Sequence, residues 1–142
     1  MNINEEKLNS LLGKFVGDLG ATLSAGTIVI GEKLGLYKAM RDAGKAVTSQ
    51  ELADLTNTNE RYVREWLNSQ ASSGYIEYDA ESNSYFMTDE QTFVMTDETS
   101  AAYLPGAFIL ATATLRATPH IAERVIQSPC VGLFQADGMS SP

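Results

Sequence analysis

Catalysis by side chains needs a nucleophile, a base or a metal-ligand set at workable spacing, and this chain offers few. His120 is its one histidine. It follows Thr118, read as a cap, and Pro119, read as a first helical residue. It therefore falls in a first turn, where the positive end of the dipole disfavours imidazolium. Glu123, at i+3, is the nearby carboxylate, and the spacing reads as a surface or packing histidine rather than a general base. Cys130, the one cysteine, follows Pro129 and has no Cys or His at ligand spacing, so neither an intramolecular disulfide nor a metal site is expected. Ser10, Ser24, Ser49 and Ser69 stand in no nucleophile-elbow pattern, and neither G-x-G-x-x-G nor G-x-x-x-x-G-K-[ST] occurs. No catalytic, cofactor-binding or metal-binding residue is assigned. Tyr62 with Trp66, and Tyr75 with Tyr78 and Tyr85, could form aromatic ligand boxes, but their helix and strand spacing reads as core.

The elements around these residues have clear punctuation. Thr48-Ser-Gln-Glu51 has the form of a capping box and predicts a short helix from Ser49 to about Leu55. Asn57-Thr-Asn-Glu60 starts another, with Tyr62, Val63, Trp66 and Leu67 as its buried face and Gly74 as its stop. Two short helices joined by a tight turn form a helix-turn-helix pattern. Tyr75-Ile-Glu-Tyr78 and Ser84-Tyr-Phe-Met-Thr88 flank the polar Asp79-Ala-Glu-Ser-Asn83, which predicts a β-hairpin. A hairpin directly after a helix-turn-helix makes a winged helix over 44–88. Thr88-Asp-Glu-Gln91 is a second capping box, opening a helix through Val94.

Helical arms flank this unit. Leu8, Leu11, Leu12, Phe15, Val16, Leu19 and Leu23 recur at helical spacing, predicting one long helix, or two in series, from Asn4 to about Lys33. Gly13, Gly17 and Ala21 form a second stripe, and each interior Gly costs about 1 kcal/mol relative to Ala. Close approach of another helix would offset that cost; a frayed or kinked helix is the alternative. The pattern continues through Ile28, Ile30, Leu34, Leu36, Tyr37 and Met40, with Gly31 and Gly35 as breaks or close contacts and Gly44 as its end. Near the other terminus a helix could start at Ser100–Leu104, and Pro105-Gly106 should interrupt it. Residues 107–117 are nearly all small or apolar and call for burial on most sides. A last helix from Pro119 to about Gln127 should face Ile121 and Val125 inward. The segment 129–142 shows no period and reads as a linker.

Charge and composition exclude several classes. The 142 residues carry 10 Lys and Arg against 18 Asp and Glu, a formal net charge of -8, and have the size of one domain. No run reaches the roughly 18 apolar residues a membrane span needs. The acidic start is unlike a signal peptide, so the cytoplasm is the expected location. Within 48–90 the only bases are Arg61 and Arg64, against nine acids. Glu60 with Arg64 and Arg61 with Glu65 stand at i,i+4, so each arginine is expected to have a partner on its own helix. The wing carries Asp79 and Glu81 and no base. Duplex affinity rests on cation–phosphate contacts, so the balance argues against nucleic acid as a partner.

Ile30-Gly-Glu-Lys-Leu-Gly-Leu-Tyr37, Thr48-Ser-Gln-Glu-Leu-Ala53 and above all Glu60-Arg-Tyr-Val-Arg-Glu-Trp-Leu-Asn-Ser-Gln-Ala-Ser-Ser-Gly-Tyr-Ile-Glu-Tyr78 carry a resemblance. With Tyr85-Phe-Met-Thr-Asp-Glu-Gln91 and Tyr103-Leu-Pro-Gly-Ala-Phe108, the chain resembles the amino-terminal winged-helix domain of bacterial class I S-adenosylmethionine-dependent methyltransferases, some of them labelled transcriptional regulators. The likeness runs to about Ile126. It implies dimerisation and help in closing a substrate pocket, followed by a Rossmann-like catalytic domain whose glycine loop would hold S-adenosylmethionine beyond Pro142. No cofactor contact is carried over onto this chain.

The expected architecture is mainly α with a small β-hairpin: a winged helix-turn-helix flanked by long dimerisation helices. The winged-helix dimerisation domain spans 1–128, with a helical arm at 4–43, the winged helix at 44–88 and carboxy-terminal helices at 89–127. The segment 129–142 leads toward an absent catalytic domain. Apolar and small residues on the arms exceed what one copy can bury, which points to a homodimer. The expected interface comprises Leu12, Gly13, Phe15, Val16, Gly17, Ala21, Phe108, Leu110, Ala111 and Leu115. The alternative is a free-standing acidic winged-helix regulator that binds a protein or small-molecule effector.

Overall fold

The computed structural model describes residues 3–127. Asn4 starts the first helix, its side chain accepting from the Lys7 amide at 3.0 Å. Glu5 and Glu6 occupy the positive end of the dipole and Lys33 the negative end. Helix α1, Glu5–Lys33, runs as one element of 29 residues, so the reading of two helices in series is set aside. Gly35, at φ 69°, makes the corner into α2, Leu36–Ala43, and Gly44, at φ 61°, ends it. A left-handed backbone suits glycine at both corners.

Helix α3, Ser49–Thr56, opens with the expected capping box: Thr48 accepts from the Glu51 amide, and Glu51 reaches back to the Thr48 amide at 2.8 Å. Asn57, at φ 51°, turns the chain into α4, Glu60–Ser72. Strands β1, Glu77–Asp79, and β2, Ser84–Phe86, pair antiparallel with Tyr78 opposite Tyr85. Val47 adds two backbone bonds to Tyr85, both 2.8 Å, which fastens the wing to the turn after α2. Helix α5, Asp89–Thr96, opens with the second capping box. Gln91 of that box also donates to the Gly74 carbonyl and to Glu77, so the cap ties the root of the wing to α5.

Helix α6, Leu104–Gln127, is continuous. This corrects two expectations. Pro105 does not interrupt a helix but sits in its first turn, where an amide would have no intrahelical partner and a missing one costs little. Pro119 lies inside α6 rather than opening a new helix. Thr118 is accordingly no cap; its hydroxyl bonds back to the Thr114 carbonyl at 3.4 Å. The flanking Ala117, Ala122 and Glu123 are strong helix formers, which favours continuation past the proline. His120 is therefore in a helix interior, and the first-turn dipole argument does not apply to it. Ile121 is 51% exposed rather than inward-facing. The side chain of Val125, Cys130 and the expected linker at 129–142 lie outside the described residues.

Ile28, Leu36, Tyr37, Met40, Leu52, Val63, Trp66, Leu67, Ile76, Tyr85 and Met95 belong to one buried cluster contributed by every helix from α1 to α5, by β2 and by the residue before β1. Its wall includes a polar chain. Tyr37 Oη donates to Gln70 Oε1 at 2.6 Å, Gln70 Nε2 to Thr27 Oγ1 at 2.9 Å, and Trp66 Nε1 to the Thr27 carbonyl at 2.8 Å. Burial pushes the Tyr37 phenol far above its ordinary range, with Tyr75 and Glu32 adding to the effect, so it stays a donor. Lys38 is shared between Glu32 of α1 and Glu98 of the turn before α6. No helix among the described residues is long and apolar enough to cross a membrane.

Gly31 faces Trp66 so closely that a Cβ there would stand 2.4 Å from Trp66 Cζ2 and 2.8 Å from Tyr37 Cε2. Two packed rings leave no slack. Gly31→Ala is expected to destabilise the fold by about 1–3 kcal/mol in urea unfolding, although alanine is the better helix former.

Glu51 has a carboxyl held at about 2 by Lys45 and by the Thr48 amide and hydroxyl, against an ordinary 4.5. Its contribution to stability is complete above the ordinary value and disappears as pH falls through about 2. Glu51→Gln should therefore lower Tm at pH 6, and the difference from wild type should shrink between pH 4.5 and pH 2.

Candidate functional site

The surface where a winged helix meets a duplex is formed by α4 and the wing. Arg64 Nη1 lies 3.7 Å from Glu60 Oε1, as the i,i+4 spacing anticipates. Arg61 and Glu65 form no such pair among the described residues, which corrects the second expectation: Arg61 is exposed and can extend into solvent. Asn68 is engaged, accepting from Tyr85 Oη at 2.7 Å. At the wing tip Asp79 accepts from Ser82 Oγ at 2.5 Å and from the Glu81 amide at 2.9 Å. The Ser82 and backbone bonds hold its carboxyl below the usual range, so the tip remains anionic.

A second surface lies over the core. Trp66, Leu36 and Val63 floor a groove of about 350 Å³ whose rim carries Ile30, Leu34, Thr58, Asn59 and Tyr62. The floor is buried and the rim is open: Trp66 is 6% exposed and Tyr62 is 72% exposed. Tyr62 therefore departs from the buried face read for it. Helical spacing groups it with Val63 and Trp66 but does not say where the neighbouring helix ends, and α1 terminates at Lys33, short of covering it. Tyr75, Tyr78 and Tyr85 do not converge on a cavity. Tyr75 meets Phe108 edge-on at 6.3 Å, while Tyr78 stacks against Tyr85 at 4.9 Å.

The third surface is the pair of arms. Every residue of α1 before Ser24 is exposed, including Leu12, Gly13, Phe15, Val16, Gly17 and Ala21. A Cβ at Gly13 or Gly17 would meet nothing within 4 Å, so among the described residues nothing closes on these two glycines of the stripe. Helix α6 packs along the base of α1. Between them runs an apolar groove of about 580 Å³ lined by Ala21, Ala25, Phe108, Leu110, Ala111 and Leu115 among others. Of the ten interface candidates, the structure thus gathers Ala21, Phe108, Leu110, Ala111 and Leu115 at one groove and places the other five further out along α1. Phe108 is partly buried against the core; Leu110 is 70% exposed. The burial on most sides anticipated for 107–117 is not found among the described residues, where most of that segment is exposed.

His120 Nδ1 is 3.9 Å from Glu123 Oε2, both side chains largely in solvent, an arrangement with no enclosed volume in which to hold a reacting group. No cluster of three or more His, Cys, Asp or Glu that could hold a metal occurs among the described residues. The groove over Trp66 was legible in part, since the sequence marks the aromatic pair, but its opening depends on where α1 stops. Tyr62→Ala should change stability by no more than about 0.5 kcal/mol, whereas Trp66→Ala should cost about 3–5 kcal/mol, compared by urea unfolding of the two variants.

The model of a family described as the Rv2258c-like winged HTH domain matches residues 21–97. The match covers more than half of the chain, and the chain belongs to that family. It takes in the base of α1 and everything through α5, while the outer part of α1 and all of α6 lie outside it. No curated protein matches the chain.

Proposed function

We propose that this member of the Rv2258c-like winged HTH family is the amino-terminal domain of an S-adenosylmethionine-dependent methyltransferase, serving dimerisation and covering of the substrate pocket. The observation that carries the dimer is the uncovered surface of the arms. Leu8, Leu11, Leu12, Phe15, Val16, Leu19 and Leu23 are all exposed on one helix, a concentration that soluble monomers avoid. The methyltransferase assignment rests on the resemblance of the Ile30–Tyr37, Thr48–Ala53 and Glu60–Tyr78 segments. In this reading methyl transfer and cofactor binding belong to a following Rossmann-like domain, and the residues present here hold no part of the cofactor. The groove over Trp66, apolar and open at Tyr62, is the surface assigned to pocket covering.

The helix-turn-helix geometry favours one second reading, a free-standing regulator that binds an effector in the same groove. The anionic wing tip and the scarcity of bases on α4 set both readings apart from a duplex-binding repressor. Sedimentation of the full chain at micromolar concentration should give twice 15.4 kDa; a monomeric mass overturns the dimer. A labelled duplex at low ionic strength should show no salt-sensitive binding, and such binding would reverse the argument from charge. An antibody against this domain should detect a cellular polypeptide well above 15.4 kDa, while a band at that mass would install the free-standing regulator instead.

A further inference from the structure

We propose that a pocket between the end of α2, the wing and the start of α5 binds a free α-amino acid with an apolar side chain. The site goes beyond the function proposed above and does not depend on it, since none of its residues lines the groove over Trp66. Its volume of about 380 Å³ lies at the low end of the range for small-molecule sites. Charge of both signs reaches it. Arg41, in the last turn of α2, and Lys45, just past the Gly44 corner, bring cations. Arg41 gives its Nε to Asp42 at 2.8 Å, and Lys45 gives Nζ to Glu51 at 2.8 Å. The guanidinium has five donors and the ammonium three, so both have donors left for a carboxylate. Asp89, the first residue of α5, brings the anion, and Thr92 a hydroxyl. Asp89 is exposed and stands in none of the ion pairs among the described residues.

A plain anion in this pocket meets Asp89, and a plain cation meets Arg41 and Lys45. A zwitterion answers both, its ammonium group to Asp89 and its carboxylate to the two bases. The remaining side chains set what the ligand carries between them. Met40, Phe86 and Met87 are apolar, and flexible thioethers adjust to more than one apolar shape. The pocket therefore suits a leucine-sized or phenylalanine-sized side chain rather than a charged one. Ala46 and Phe86, both in its lining, are the neighbours in sequence of the bridged pair Val47 and Tyr85, so a bound amino acid braces the wing against α2 and α5.

Calorimetric titration of the full chain with L-leucine and L-phenylalanine tests this. At least one of the two should bind saturably, with a Kd of about 1 mM or below. Isocaproate, which is leucine without its ammonium group, and isopentylamine, which is leucine without its carboxylate, should each bind at least tenfold more weakly than leucine. Arg41→Gln and Asp89→Asn are at exposed positions, where substitution leaves the fold intact, and each should weaken amino-acid binding at least tenfold. Asp89→Asn should at the same time leave isocaproate binding unchanged or tighter, a response that general loss of structure does not give. The proposal is overturned if neither amino acid binds saturably, or if neither variant changes the binding. It is equally overturned if isocaproate binds as tightly as leucine, which would make the pocket a plain anion site.

Discussion

The contact of the last turns of α1 with Trp66 sets the positions of the other elements. The indole lies against Gly31, where a side chain has no room, and donates to the Thr27 carbonyl one turn earlier. Gln70, one turn beyond Trp66 on α4, bonds Thr27 Oγ1 on one side and Tyr37 Oη on the other. Three helices are thereby fixed by one aromatic ring and one buried amide. Buried polar groups without partners are costly, and Gln70 is fully buried with partners on both sides, so the helices have one satisfactory relative placement. The helix-turn-helix, the wing and the groove over Trp66 all inherit their positions from it.

Much of this was legible in residue order, and the reasons are local. Capping boxes at Thr48 and Thr88 act within three residues, and the glycines at 35, 44 and 74 mark turns that need a left-handed backbone. The wing could be read because strands of alternating character flank a polar turn. Other features depend on distant parts of the chain. Tyr62 shares the spacing of a core face, but its exposure follows from the end of α1, set almost thirty residues earlier. The two prolines of α6 misled because proline is a breaker on average, while the first turn tolerates it and strong helix formers carried the chain past the second. Arg61 and Glu65 have the right spacing, yet an exposed i,i+4 pair is worth only a few tenths of a kcal/mol, too little to dictate two long side chains.

The same separation of local from distant information applies to function. The family match spans residues 21–97, from the base of α1 through α5, and the outer part of α1 and α6 lie outside it. This helix-turn-helix retains the packing of its architecture with an anionic wing tip and with Arg61 and Arg64 as the bases of α4. Its recognition helix is instead occupied in building a core: Trp66 and Gln70 face inward, and Asn68 is held by Tyr85.

Helix α1 also has a mechanical character. It is one uninterrupted rod clamped at a single end, with no hinge glycine in contact with anything between the clamp and its tip. Each residue advances the rod by 1.5 Å, so a tilt of about 10° at Ala25, the last buried residue toward the tip, would sweep the far end by roughly 5 Å. A molecule entering the groove over Trp66 would press on the clamped end near Ile30 and Leu34. Because the rod is straight, the displacement would grow in proportion to distance from the clamp and be greatest at Glu5.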